Sequence, residues 1–179
     1  MPKYVLTRAP GAGKTAVLRL LKVDGHVVVE EAATDVIALA DAQGQDQPWR
    51  DHSFLDTIVS LQQRRQHAVR PADIVFFDRS PVCTPALARH LGFAPPTRLT
   101  EEVERVVAEG TYQRTVFLIR NQGFVRPTAA RRISFEDSLA FERSHEQTYR
   151  ELGFHLIEVP RVAGRPRRAD RTDRDCPGT

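Results

Sequence analysis

The chain has 179 residues, 41% of them hydrophobic and 27% charged, which is the composition of one ordinary globular domain and excludes a disordered or fibrous chain. Its formal charge is +3, and residues 161–179 supply all of it, with six arginines (Arg161, Arg165, Arg167, Arg168, Arg171 and Arg174) against three aspartates; the body is neutral and has no general basic face for nucleic acid. Cys83 and Cys176 make no CxxC pair or disulfide framework, and no apolar run reaches signal-peptide length or the roughly 20 residues of a membrane span, so a cytoplasmic protein with no membrane partner is expected.

The first apolar run, Tyr4–Thr7, leads into Arg8-Ala9-Pro10-Gly11-Ala12-Gly13-Lys14-Thr15 and then a helical pattern over 14–22. This is the phosphate-loop pattern GxxxxGK(S/T) with Arg8 in place of the first glycine. In a strand, turn and helix context the backbone of Pro10, Gly11, Ala12, Gly13, Lys14, Thr15 and Ala16 converges with the helix N-terminus on an anion. Lys14 is then expected on the β- and γ-phosphates, and the Thr15 hydroxyl on Mg²⁺. Because the backbone at position 8 matters more than its side chain, Arg8 is expected to shift only the loop entrance.

The second run, His26–Val29, ends in Glu30-Glu31 before a helix over 31–42. A period of two sends only one of these acids into the cleft, and Glu31 is taken as the group that accepts a proton from a substrate hydroxyl; the alternative is a pair of helix-start acids that complement the dipole. A loop at 43–51 and a helix at 52–68 lead to the strand Ile74–Asp78 and Asp78-Arg79-Ser80. Asp78 is the carboxylate expected to hold Mg²⁺ through water or to orient the attacking group, close to Thr15 because strands one and three are commonly neighbours in such sheets; a solvated Asp-Arg turn is the plainer alternative. Helices at 82–91 and 100–109 flank a loop at 92–98, and a fourth strand spans Thr115–Arg120. The segment 126–134 carries Arg126, Arg131 and Arg132, suited to a lid that closes on phosphates or else a solvated loop. The last helix, 135–152, opens with a capping-box-like Ser134-Phe135-Glu136-Asp137 and stops at Gly153 before the strand Phe154–Val159.

Short, nearly continuous apolar strands alternating with helices predict an α/β fold: a kinase-like P-loop NTPase with a central five-stranded parallel sheet, its strands buried on both faces. Residues 1–160 form this domain and 161–179 a basic, disordered tail. The six histidines show no metal-ligand spacing and are assigned surface or packing roles.

With the phosphate loop, EEAATDVI, FFDRSP, the Arg-rich segment and HEQTYRELGFHLIEVP in this order, residues 3–160 resemble the AAA-domain family of small P-loop proteins related to the nicotinamide riboside kinase domain of NadR. More distantly, Asp78-Arg79-Ser80 resembles the signature of deoxynucleoside kinases. The resemblance implies ATP with Mg²⁺ and a lid, Lys14 and Thr15 as phosphate and metal residues, Asp78 as the strand-three acid, Arg79 as a substrate or phosphate contact and Glu31 as the base. Thr34 and Cys83 depart from the family pattern at positions expected to face the acceptor, and the family's C-terminal helix is not recognisable after Pro160.

The expected function is transfer of the γ-phosphoryl of ATP to a hydroxyl of a small polar, nucleoside-like metabolite. The alternative is a nucleotide-dependent regulatory or binding ATPase with slow or no transfer. Arg120-Asn121-Gln122-Gly123 is not the NKxD element that reads guanine, LSGGQ is absent, and the chain has no room for the added domain of an oligomeric motor. The oligomeric state is not readable from the residues.

Overall fold

The computed structural model describes residues 1–8, 14–71, 73–120 and 135–159. Five parallel strands, β1 (Lys3–Arg8), β2 (Val27–Val29), β3 (Val75–Asp78), β4 (Thr115–Ile119) and β5 (His155–Val159), lie in the order β2-β3-β1-β4-β5. The helices are α1 (Lys14–Val23), α2 (Ala32–Ala42), α3 (Ser53–Ala68), α4 (Thr84–His90), α5 (Thr97–Ala108) and α6 (Phe135–Glu151). From the central β1 the chain builds one wing of the sheet, then crosses to build the other. Such a reversal opens a crevice beyond the carboxyl ends of the inner strands, which is where ligands bind in open α/β sheets.

Side-chain alternation sorts the core into two layers. Val5, Val75, Phe77 and Val116 face one side and pack with Val106, Tyr149 and Phe154. Leu6 faces the other, with Leu18 of α1 and the half-buried Phe76 and Phe117. The expectation that all five strands are buried on both faces holds for the inner three and fails at the edges. Val27 of β2 and Ile157 of β5 are exposed, because an edge strand has a neighbour on one side only.

Prolines account for the differences in helix boundaries. The expected helix over 82–91 is a 3-10 turn, Pro81–Cys83, followed by α4, with Pro81 and Pro85 in the opening turns, where a missing N–H costs nothing. Pro96 takes the N-cap position of α5 in extended conformation, so that helix begins at Thr97 and not at residue 100. Pro48–Arg50 makes a 3-10 turn within the loop at 43–51. Gly153, at φ 77, ends α6 as expected, with its N–H on the Arg150 carbonyl and that of Phe154 on Tyr149.

Between α3 and α5 a buried charge is fully networked. The Glu102 carboxylate accepts bonds from Gln63 Nε2 (2.7 Å) and from Arg105 Nε (2.9 Å) and Nη2 (2.7 Å), and Arg105 also reaches Gln66 (3.0 Å). Burial works against the Glu102 charge, but the hydrogen bonds from Arg105 and Gln63, with the charges of Arg105 and His67, outweigh it and hold its pKa below the ordinary value. An open groove of about 850 Å³, lined by Ser60, Gln63, Arg64, His67, Arg98 and Glu101 among others, runs beside this network, along the half of α3 that leads towards the amino end of β3.

Glu102→Ala is expected to cost about 2 kcal/mol of stability at neutral pH, since it strands the partners of a buried carboxylate. A carboxyl whose folded-state pKa is depressed contributes stability that is complete above its unfolded pKa of about 4.3 and is lost as the pH falls through the folded value. Urea unfolding of the two proteins should therefore differ at pH 7 and converge in acid.

Candidate functional site

Of the candidate residues, Glu31, Asp78 and Arg79 lie at the carboxyl edge of the sheet, just beyond or at the ends of β2 and β3. β1 ends at Arg8 and α1 opens with Lys14, Thr15 and Ala16. The candidates Pro10, Gly11, Ala12 and Gly13 lie outside the described residues, as do Arg126, Arg131, Arg132, Ser134 and the tail 161–179. Asp78 is the last residue of β3, buried and in register with Leu6 of β1. Because paired residues share a face, Asp78 falls on the side covered by α1, whereas Thr7 falls on the opposite side, towards α6.

One residue beyond Asp78 the chain turns sharply. Arg79 has φ 67, a left-handed conformation that costs an L-residue about 1–2 kcal/mol. Its N–H donates to the Leu6 carbonyl at 2.9 Å, so the strained residue is tied to β1. Its side chain is 12% exposed and held from three sides: Nε lies 2.6 Å from Glu31 Oε1, Nη1 lies 3.2 Å from His145 Nε2, and Cζ sits 5.7 Å from the centre of the Phe141 ring. Burial works against the Arg79 charge, but the Glu31 carboxylate together with Cys83 and Tyr149 outweighs it and raises the guanidinium pKa. Neither charge is left to face a low-dielectric interior alone.

Glu31 occupies the N-cap position of α2 but makes no side-chain cap bond. Its carboxylate is committed to Arg79 and to Thr34, whose hydroxyl donates to Oε2 at 3.1 Å. Glu30 turns the other way: its side chain is 63% exposed against 17% for Glu31, and it pairs with Lys22 at 2.5 Å. The alternation expected at the end of β2 thus separates the two acids, Glu31 turning to Arg79 while keeping its place at the start of α2 and Glu30 turning to Lys22.

α6 supplies the back wall, and the sequence reading missed it. His145 is fully buried, with Nδ1 3.1 Å from Thr7 Oγ1 and its ring against Phe141. One turn on, the Tyr149 hydroxyl lies 3.2 Å from Ser80 Oγ, and burial pushes its pKa well above the usual phenol value. The available signal was spacing: Ser138, Phe141, Glu142, His145, Thr148 and Tyr149 recur every three or four residues and are all buried, so His145 lies within a core stripe. Glu142 and Glu146, a like-charge pair one turn apart, are reconciled by Arg120 beyond the end of β4, which reaches them at 3.1 and 2.9 Å and also bonds Glu158 of β5.

Cys83 does not face an acceptor, contrary to expectation. It is buried among Val5, Phe77 and Val82, and its Sγ donates to the Ser80 carbonyl at 3.2 Å. Thr34 is exposed at the start of α2 beside Glu31. Among the described residues no group of three or more His, Cys, Asp or Glu could hold a metal ion, and no helix is long and apolar enough to cross a membrane. The Asp78 carboxylate, buried at the end of β3, is a hard-oxygen group of the kind that suits a largely hydrated Mg²⁺.

The chain belongs to the AAA domain family, which matches residues 3–168. No curated protein matches it. Its fold is similar to that of deoxyadenosine kinase from M. mycoides with bound dATP, at 15% identity over 89% of this chain and 91% of that one, with a TM-score of 0.59. A second structure of that kinase, with the products dCMP and a flexible dCDP, is similar at 13% identity over 88% and 90% of the two chains, with a TM-score of 0.58. The architecture is therefore the kinase-like P-loop fold expected from the sequence.

The strain at Arg79 gives an unusual stability order. Arg79→Ala loses the ion pair and keeps the unfavourable φ, whereas Arg79→Gly loses the same contacts and relieves the backbone. The glycine variant should be the more stable of the two by about 1 kcal/mol in urea unfolding, the reverse of the usual Ala-over-Gly order.

Proposed function

We propose that this protein is an ATP-dependent phosphotransferase that moves the γ-phosphoryl of ATP to a hydroxyl of a small, polar, nucleoside-like metabolite. The observation that carries the reading is the Glu31–Arg79 pair at the carboxyl edge, next to Asp78 and the N-terminus of α1. A nucleotide switch or a simple ATPase has no need of a buried carboxylate and guanidinium locked together beside the phosphate end of its sheet. A kinase must orient a hydroxyl there and take its proton.

In this account the backbone of Pro10, Gly11, Ala12, Gly13 and Ala16, with Lys14, cradles the phosphates at the N-terminus of α1. Thr15 and Asp78 are the residues that would hold Mg²⁺, which when bound neutralises the charge on the phosphate oxygens. Glu31, as a carboxylate, accepts a hydrogen bond and then the proton from the acceptor hydroxyl. Arg79 fixes Glu31 through Nε and leaves positive charge where the transferred group gathers negative charge. Arg126, Arg131 and Arg132 are assigned to phosphate contact from the segment that follows β4. Phosphoryl transfer needs little base strength because its transition state is loose, so a carboxylate in an ion pair is adequate to the task. The nucleoside-like class of acceptor is supported by the fold shared with a deoxyadenosine kinase, and by an acid, Glu31, that stands just beyond the end of β2 beside Arg79.

ADP release by the purified protein should be stimulated by at least one nucleoside or related hydroxyl metabolite in the presence of Mg²⁺. Lys14→Ala should abolish nucleotide binding or turnover, while Glu31→Gln and Asp78→Asn should still bind ATP and lose at least ~10²-fold in rate. No stimulation across nucleosides, sugars and aminoglycosides would favour the regulatory ATPase instead.

A further inference from the structure

We infer that His145 is a positioning residue for Arg79, held as the neutral Nδ1–H tautomer between the end of β1 and the Glu31–Arg79 pair. The inference deepens the phosphotransferase reading, on which only its kinetic arm rests. His145 Nε2 lies 3.2 Å from Arg79 Nη1, and His145 Nδ1 lies 3.1 Å from Thr7 Oγ1. A guanidinium is a donor only, so Nε2 must be the acceptor. In a neutral imidazole the proton then sits on Nδ1, which donates to the Thr7 hydroxyl. An imidazolium would set N–H against N–H in a fully buried position.

The contact matters because of what Arg79 is asked to do. Its backbone is strained, and its Nε stands in ion-pair contact with Glu31. The Phe141 ring supports one face of the guanidinium, and the bond to His145 adds a directed attachment at Nη1. Thr7 in turn is the penultimate residue of β1, so a side chain of α6 links the strand that leads into the phosphate-loop segment to the pair that would orient the acceptor. No other histidine among the described residues is fully buried: His26 and His90 are ring neighbours of Phe76 and Phe141, and His52 of Phe93.

The direct test is nitrogen NMR of the full chain labelled in histidine and arginine, at pH 7.5 with no ligand, with His145 assigned from its loss in His145→Gln. The expected result is an unprotonated Nε2 and a protonated Nδ1, with the Arg79 Nε–H exchanging with water more slowly than in His145→Phe. A protonated Nε2, or Arg79 exchange unchanged by the phenylalanine, overturns the inference whether or not the protein turns over ATP. In acceptor-stimulated ADP release, His145→Phe should lose about tenfold in kcat with KM for ATP nearly unchanged, and His145→Gln, whose amide oxygen can accept from Nη1, should recover the larger part of that loss. Equal losses in the two variants, or a loss confined to KM for ATP, also overturn it. A wild-type protein without stimulated release contradicts the phosphotransferase reading and leaves the tautomer result to decide this one.

Discussion

Arg79 is the residue around which the carboxyl edge is built. Its left-handed backbone would unbend in a free chain, so the fold must hold it, and it does so from three elements at once. β1 takes its N–H through Leu6, the start of α2 takes its Nε through Glu31, and α6 takes its Nη1 and ring face through His145 and Phe141. Because the same residue follows Asp78 in sequence, the geometry of the β3 acid and that of the Glu31 carboxylate are set together. A change in the position of α6 relative to β1 is felt at both.

The arrangement also explains the balance of charge at this edge. Two acids, Glu31 and Asp78, stand with one buried arginine and with the positive end of the α1 dipole, a field that favours an anion with its counter-cation over either alone. On the far wing Arg120 serves a structural purpose by drawing Glu142, Glu146 and Glu158 together, which ties α6 to β4 and β5. The groove between α3 and α5 is polar too, but the groups of its central network are engaged with one another through Glu102 and Arg105. Of these polar clusters, the one around Arg79 is built on strain at the carboxyl edge, and it is the one that carries the functional reading.

The order of strands and helices was legible in the residues because each inner strand is an apolar run too short to be a helix, and each is closed by a turn residue. Glu31 could be separated from Glu30 by the period of two alone. What was not legible depended on contacts distant in sequence. The edge strands β2 and β5 read like the inner ones, since nothing local marks a strand as last in its sheet. Cys83 was expected to face an acceptor because it departs from the family pattern there, yet the 3-10 turn at Pro81–Cys83 places it in the core. His145 was placed among surface or packing histidines for want of metal-ligand spacing, while its partners, Thr7 and Arg79, lie 138 and 66 positions away. The shared fold with a deoxyadenosine kinase at 15% identity makes the same point: architecture persists where individual side chains have been exchanged.

The central claim is that the phosphoryl group reaches a metabolite hydroxyl and not water. The most direct measurement is the fate of an ¹⁸O label in the γ-phosphoryl of ATP, incubated with the purified protein, Mg²⁺ and a mixture of nucleosides, and read by mass spectrometry. The account predicts that the label appears in a phosphomonoester of one component of the mixture, at a rate well above its appearance in inorganic phosphate. Label found only in inorganic phosphate, at a rate indifferent to every added hydroxyl compound, would contradict it.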